Sequence, residues 1–228
     1  MLDKKISFIK RTGIINDYLV ICDHSSNKIP PKYNNLCISK KIINSHRAFD
    51  IGASEVASEL SNLLECNLVM ANFSRLLIDP NRGYDDPTLI PKISEGEIIK
   101  GNLNISLLKN DKERNKRINN FYQPYHDQIS KFINIAFSEN KIPKILSIHS
   151  FTPIWKGKKR ETDIGILWDK DDRLSEIFLS SFNNSNIGNN KPYSGRLKND
   201  TLYRHATMRG LPHVLIELRQ DLLKKKKD

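Results

Sequence analysis

Three short apolar segments of the chain each lead into an ionisable side chain. Residues 17–23 precede His24, residues 144–149 end on His149, and residues 213–218 carry Glu217 near their end. Short apolar runs bounded by polar residues are typical of buried strands. Because sites in open α/β sheets form at the carboxyl ends of strands, the pattern predicts that these three side chains gather at one edge of a sheet.

The rest of the chain alternates between helical and extended patterns. Apolar residues recur at helical spacing over residues 50–64, and Pro124 is expected to kink or break a longer helix. Further helices are predicted at 111–140 and 173–182, further strands at 68–73, 76–79 and 164–168, and loops at 80–101 and 183–192. The alternation predicts an α/β fold. A length of 228 residues, 38% of them hydrophobic, predicts one domain over residues 1–228.

The net charge is strongly positive. It amounts to +11, from 37 Lys and Arg residues against 26 Asp and Glu residues. Basic faces favour nucleic acids, but much of this excess is scattered over loops, and the run at 224–227 is expected to be a solvated tail. No helix-turn-helix or aromatic-interleaved basic motif accompanies the charge. We therefore expect no nucleic-acid partner, and the charge is compatible with an anionic small-molecule substrate.

Targeting signals and cysteine chemistry are also constrained. No segment approaches the ~18 consecutive apolar residues of a membrane helix, and the first residues lack the apolar core and cleavage site of a secretory signal. A soluble, cytoplasmic protein without a membrane partner is expected, and the oligomeric state is not indicated. The three cysteines form no CxxC pair, which suggests neither a disulfide framework nor a thiolate zinc cluster.

Histidines and carboxylates at converging strand ends predict a zinc site. Imidazole nitrogens and carboxylate oxygens are ligands that Zn²⁺ prefers, and a catalytic site leaves one position for water. The metal lowers the pKa of that water toward ~7, and a carboxylate such as Glu217 would take its proton during attack on a carbonyl.

Eight ordered motifs spread over nearly the whole chain resemble those of the N-formylglutamate amidohydrolase family, which is related to the zinc carboxypeptidases. The resemblance implies an α/β, three-layer, zinc carboxypeptidase-like (phosphorylase/hydrolase-like) fold with a mixed central sheet. The motifs are DHSSNKIP (23–30), HRAFDIGA (46–53), SRLLIDPNR (74–82), PYH (124–126), HSFTP (149–153), DIGIL (163–167), NKPY (190–193), and His205 with GLP (210–212).

The resemblance implies that His24 and His149 bind Zn²⁺ and that Glu217 is the general base. In the carboxypeptidases a ligating glutamate stands three residues after the first histidine, but here that position is Asn27. We assign the missing ligand to Asp50. The competing interpretation makes Asp50 the N-cap of the helix that follows it, and His46 is then the substitute ligand.

Two arginines are candidates for contacts with the substrate. Asn81 and Arg82 resemble the pair that grips a substrate carboxylate in the carboxypeptidase fold, and a guanidinium holds a carboxylate through two parallel hydrogen bonds. Arg75 is assigned to stabilising the negative charge that develops on the substrate oxygen. The two arginine assignments are interchangeable at this stage.

Three further residues are assigned to substrate binding on weaker signals. Ser25 stands beside His24 at the end of a predicted strand. Arg219 would point to the same side of its strand as Glu217, where it either binds substrate or orients the glutamate. His205 lies in a motif before the last strand, and a contact with substrate or a structural role fits it equally.

The sequence thus predicts a zinc-dependent hydrolase that cleaves the amide bond of a small N-acyl amino acid such as N-formyl-L-glutamate. One alternative is a metallo-amidase or carboxypeptidase that acts on peptides or cell-wall fragments, since a fold does not fix the substrate. A second alternative is a module that binds an anionic partner on a hydrolase-like fold.

Overall fold

A mixed sheet forms the centre of the protein. The computed structural model describes residues 3–106, 108, 110–182 and 186–223, and within them the sheet has eight strands in the order β1-β2-β4-β3-β7-β12-β10-β11. The strands of the protein are β1 (Asp3–Lys4), β2 (Phe8–Arg11), β3 (Ile15–Cys22), β4 (Cys66–Ala71), β5 (Ile93–Ser94), β6 (Glu97–Ile98), β7 (Lys144–Phe151), β8 (Ile154–Trp155), β9 (Lys158–Lys159), β10 (Ile164–Leu167), β11 (Ile187–Asn189) and β12 (His213–Arg219). The predicted tail at 224–227 lies outside the described residues.

Helices flank this sheet. They are α1 (Lys40–Ile43), α2 (Ala53–Leu63), α3 (Lys112–Arg117), α4 (Gln123–Ser138), α5 (Arg173–Ser181) and α6 (Thr201–His205), with a π-helical turn at Ile118–Tyr122 and 3₁₀ turns at Pro31–Cys37, Lys100–Asn102, Thr207–Arg209 and Gln220–Leu223. Within the described residues, no helix combines the length and the apolar character needed to span a bilayer.

The sheet separates two apolar cores, because side chains alternate between the faces of each strand. Leu19 and Ile21 of β3 pack with residues of α4 on one face. Val20 and Cys22 pack with residues of α2 and α5 on the other. The result is three layers, and the predicted α/β fold with a mixed central sheet is confirmed.

Three neighbouring strands bring the predicted site residues to one edge. β7 pairs in parallel with both β3 and β12, so the carboxyl ends of all three lie together. Glu217 of β12 lies directly opposite His149 of β7. On its other side Glu217 faces Gly165 of the antiparallel strand β10. A Cβ at Gly165 would lie 2.3 Å from the carbonyl oxygen of Lys191 and 3.2 Å from Cβ of Glu217, so glycine is the residue that fits there.

Three of the local predictions are wrong, and one of them is the loop at 80–101, which contains the paired short strands β5 and β6. Residues 76–79 do not form a strand: Leu77 donates its backbone N–H to Ser74 in a turn, and Asp79 donates to Leu89. The segment resembles a strand in sequence because its apolar residues are buried in the core all the same. The predicted loop at 183–192 contains strand β11, which pairs with β10.

The predicted kink or break at Pro124 takes the form of a change of helix type, because the chain stays helical from α3 to α4 and contains a π-helical turn just before the proline. A single helical pattern over 111–140 becomes α3, the π-helical turn and α4. Proline has no backbone N–H to continue an α-helical ladder. Immediately before it, Gln123 donates its N–H to Ile118, five residues back, which closes the wider π-helical turn.

Candidate active site

Two histidines and an aspartate form a buried cluster at the carboxyl edge of the sheet. His24 follows β3, His149 lies in β7, and Asp50 precedes α2. Asp50 Oδ2 lies 3.3 Å from Nδ1 of His24 and 2.9 Å from Nδ1 of His149. One potential ligand atom from each of the three residues lies within 4.8 Å of the others. The cluster can therefore hold a metal ion.

The backbone around Asp50 directs its carboxylate into this cluster. Asp50 donates its backbone N–H to the carbonyl oxygen of His24 at 2.8 Å. Helix α2 begins only at Ala53, and its N-cap is Gly52, whose φ of 83° is the left-handed conformation that glycine adopts without strain. The interpretation of Asp50 as the N-cap of the helix is therefore wrong, and its side chain is free to face the histidines.

Each histidine is also held at its far nitrogen by a second carboxylate. Nε2 of His24 lies 2.8 Å from Asp79 Oδ1, and Nε2 of His149 lies 3.3 Å from Asp23 Oδ2. This leaves both Nδ1 atoms turned toward Asp50. Metal-binding histidines commonly carry a carboxylate on the other ring nitrogen, which fixes the ring and raises its basicity. Sequence reasoning missed both supporting aspartates, although each stands in a quoted motif.

The electrostatics of the cluster favour ionised carboxylates. Burial alone would raise the pKa of Asp23 and of Asp50, but contacts with the histidines hold both values below the ordinary range. Burial likewise opposes ionisation of Asp79, and Arg75 and His24 bring its pKa well below the ordinary value. Imidazole and ionised carboxylate are the donor set that Zn²⁺ prefers, so the residues present fit this metal.

Glu217 lies beside the cluster with its carboxylate buried. It is 8% exposed, and among the described residues its Oε2 is a buried atom with no hydrogen-bond partner. Burial raises the pKa of Glu217 to about 7, although the neighbouring His149 opposes the shift. A carboxylate with this pKa can accept and return a proton near neutral pH.

Arg75 is bound to the carboxylate that supports His24. Its Nε and Nη2 donate to Asp79 Oδ2 at 3.1 and 2.8 Å, while Nη1 lies 3.8 Å from Asp50 Oδ1. Burial alone lowers the pKa of Arg75, but Asp79 and Asp50 raise it above its ordinary value. The guanidinium is thus a fixed positive charge at the wall of the site.

Asn81 and Arg82 are placed on the adjoining loop. Asn81 donates its backbone N–H to Asp79 Oδ1 at 2.9 Å and accepts from the N–H of Thr201 at 3.0 Å. Arg82 contacts Thr88 and lies 3.9 Å from Asp86, with 28% of its side chain exposed. Of the two arginines, Arg82 has the weaker ion pairs, which leaves it more available to a ligand.

These residues surround a single cavity of about 500 Å³. Seven of the predicted site residues line it, namely His24, Asp50, Arg75, Asn81, Arg82, His149 and Glu217. A cluster that could hold a metal ion, a carboxylate whose Oε2 has no hydrogen-bond partner among the described residues, and two guanidinium groups therefore share one space. That arrangement suits hydrolysis of a bond next to a carboxylate.

Four other candidates are not brought to this cavity. Ser25 donates its hydroxyl to the carbonyl oxygen of Ala71. Arg219 is held by Asp163 and Asp221. His46, the substitute ligand, lies outside the cluster, where its Nε2 is 2.8 Å from Glu95. The fourth residue, His205, lies in a separate buried pair of histidines. The expected substrate contacts of Ser25 and Arg219 are not supported by these positions.

His205 instead forms a buried pair with His126. Nε2 of His205 lies 2.8 Å from Nδ1 of His126, whose Nε2 lies 3.1 Å from the carbonyl oxygen of Pro80. Burial lowers the pKa of His205 to about 3 and brings the pKa of His126 well below its ordinary value, so both rings are neutral. The pair supports the loop that carries Asn81, and a contact of His205 with substrate is not supported.

Comparisons with known proteins agree with this description. The family model for N-formylglutamate amidohydrolase matches residues 16–224. The crystal structure of gene product Atu2144 from Agrobacterium tumefaciens has a TM-score of 0.89 and 35% sequence identity, covering 97% of this chain and 88% of that chain. The crystal structure of N-formylglutamate amidohydrolase from Ralstonia eutropha JMP134 has a TM-score of 0.67 and 20% identity, covering 96% and 87%, and it supports the fold alone. No curated protein sequence matches the chain. On the family match, the chain belongs to the N-formylglutamate amidohydrolase family.

Proposed function

We propose that this protein is a zinc-dependent hydrolase that cleaves the amide bond of a small N-acyl amino acid carrying a carboxylate, for which N-formyl-L-glutamate is the family's example. The observation that carries the proposal is the cluster of His24, Asp50 and His149 next to the buried carboxylate of Glu217, in one cavity with Arg82. The family match supports amide hydrolysis. A single catalytic domain over residues 1–228 and a cytoplasmic location stay predictions.

The residues that would hold the metal are His24, Asp50 and His149. Asp79 and Asp23 would keep the two imidazole rings oriented through their far nitrogens. When bound, Zn²⁺ would polarise the acyl carbonyl and lower the pKa of a water toward ~7.

The protein side chains would then divide the reaction between them. Arg82, with Asn81 beside it, would bind the substrate carboxylate, because a planar guanidinium matches two carboxylate oxygens. Glu217 would take a proton from the attacking water and deliver it to the nitrogen of the leaving amino acid. Arg75, fixed by Asp79, would stabilise the negative charge that develops on the acyl oxygen.

The test is hydrolysis of a panel of N-acyl amino acids by the zinc-loaded protein, followed as release of free amino acid. We expect turnover that a chelator abolishes and that Glu217→Gln abolishes while zinc stays bound. The exposed Glu97→Gln on strand β6 is the matched control and should keep full turnover. Cleavage of peptides without cleavage of N-acyl amino acids would favour the peptidase alternative. Absence of both activities would refute the proposal.

A further inference from the structure

The cavity has an apolar wall next to Glu217. Leu215 lies two residues before Glu217 on strand β12 and therefore projects from the same face of the sheet. Leu215 pairs with Leu167 of β10 across the antiparallel strands. Both leucines line the cavity, and both are almost fully buried, with 6% and 3% exposure. The wall of the cavity next to Glu217 is therefore apolar.

The mouth of the cavity continues this wall. Trp155, Tyr193 and Leu197 line it and are each between 41% and 48% exposed. Arg160 packs against the rings of Trp155 and Tyr193, at 5.3 and 4.9 Å from their centroids, and donates to the Tyr193 hydroxyl at 2.7 Å. This packing holds both rings in place, so an apolar surface faces any ligand that enters.

The positive charges of the cavity match one carboxylate. Among the described residues that line it, two are cationic, Arg75 and Arg82. Arg75 is already bound to Asp79 through two nitrogens. Arg82 is thus the lining arginine left for a carboxylate, while Arg160 stands outside the lining with its guanidinium packed on Trp155 and Tyr193. Asp200 adds a buried acidic group to the same lining.

A recess beyond the two arginines contains a carboxylate of the protein's own. It has a volume of about 210 Å³ and is lined in part by His46, Arg47 and Glu95. Glu95 Oε2 lies 2.8 Å from Nε2 of His46 and 3.6 Å from Nε of Arg47. Glu95 therefore supplies a carboxylate of the protein's own to His46, while Nε of Arg47 has no hydrogen-bond partner among the described residues.

We propose that the substrate carries one carboxylate and one apolar group, and that the apolar group packs on Leu167, Leu215 and Leu197. This inference rests on the proposed function and narrows its substrate class away from acidic side chains such as that of glutamate. The apolar group belongs to the amino acid or to the acyl chain, and the two sources are separate arms of the test.

The first measurement compares kcat/KM for four substrates of the zinc-loaded protein. N-formyl-L-leucine places the apolar group on the amino acid, N-hexanoylglycine places it on the acyl chain, and N-formyl-L-glutamate and N-formylglycine carry none. We expect at least one apolar substrate to exceed both others by about tenfold or more, as burial of a few methylene groups allows. A preference for N-formyl-L-glutamate over both apolar substrates would overturn the inference and leave the proposed function standing.

The second measurement uses a pair of matched leucine variants. Leu197→Arg adds a positive charge at the cavity mouth, and Leu103→Arg adds one at a leucine of similar exposure, 45% against 48%, that does not line the cavity. Leu197→Arg should lower kcat/KM for the better apolar substrate about tenfold and raise it for N-formyl-L-glutamate. Leu103→Arg should change neither value. Equal effects of both variants would contradict the assignment.

A binding measurement keeps the inference testable if no substrate is turned over. Calorimetric titration of the zinc-loaded protein with N-formyl-L-leucine, N-hexanoylglycine and N-formyl-L-glutamate gives the three dissociation constants directly. Tighter binding of an apolar compound supports the inference even where the proposed hydrolysis fails. Equal or tighter binding of N-formyl-L-glutamate overturns it.

Discussion

Replacing Asp200 by Asn should stabilise the protein at alkaline pH. Asp200 is the N-cap of α6, where its Oδ1 accepts the backbone N–H of Tyr203 at 2.7 Å, and the residue is only 4% exposed. Burial raises the pKa of Asp200 from its ordinary 3.8 to about 7. Asparagine keeps the capping oxygen and carries no charge to bury.

The sign and the size of the change in unfolding free energy follow from this difference in pKa. A carboxyl with a raised pKa in the folded state contributes its full stability below pH 3.8, and that stability is lost as the pH rises through about 7. A gap of about three pH units at about 1.36 kcal/mol per unit corresponds to about 4 kcal/mol. Asp200→Asn should therefore be more stable than wild type by up to about 4 kcal/mol at pH 9, with no difference near pH 4.

The assay is urea unfolding of both proteins at pH 4, 5, 7 and 9, followed by fluorescence. Asp111→Asn is the matched control, because Asp111 also caps a helix through a backbone N–H but has a pKa lowered by its hydrogen bonds to Arg114 and Ser106. That variant should be less stable than wild type at all four pH values, because a lowered pKa places the loss of this contribution below pH 3.8. A pH-independent difference for Asp200→Asn, or a loss of stability at pH 9, would refute the reasoning.

Three further predictions concern Glu217 and Arg82 of the cavity and Gly165 of strand β10. If Glu217 is the base, kcat/KM falls as the pH drops below about 7. Glu217→Gln should lose about 10²-fold or more of the rate together with this pH dependence. A variant that keeps the fall of kcat/KM at acidic pH would exclude Glu217 as the base. Arg82→Ala should raise KM for carboxylate substrates by about tenfold or more, with Arg82→Lys in between, and an unchanged KM would remove Arg82 from substrate binding. Gly165→Ala should cost roughly 1–3 kcal/mol in urea unfolding, because its Cβ would lie 2.3 Å from the Lys191 carbonyl oxygen; unchanged stability would show that the β10 edge can move aside.

The strand ends were the part of the structure most open to prediction. The apolar runs at His24, His149 and Glu217 form the adjacent strands β3, β7 and β12. Apolar composition predicts a buried strand, and the first polar residues after it predict its carboxyl end. The interruption of the α-helical pattern before Pro124 was likewise predictable from the missing N–H.

The two aspartates that contact the far nitrogens of the histidines could not be predicted from the sequence. Asp79 reaches His24 across 55 residues of chain and Asp23 reaches His149 across 126, and no local periodicity encodes contacts at such separation. The two roles left open for His205 could not be separated for a similar reason, since its partner His126 lies 79 residues away on α4. The buried apolar turn at 76–79 looked like a strand because burial, rather than strand pairing, sets its composition.

The metal content of the purified protein tests the central claim most directly. Elemental analysis of wild type should give about one zinc per chain, and His149→Ala should lose it. His46→Ala is the control, because His46 pairs with Glu95 outside the cluster, and this variant should keep the metal. Zinc retained in His149→Ala, or lost in His46→Ala, would contradict the assignment of His24, Asp50 and His149 as the metal site.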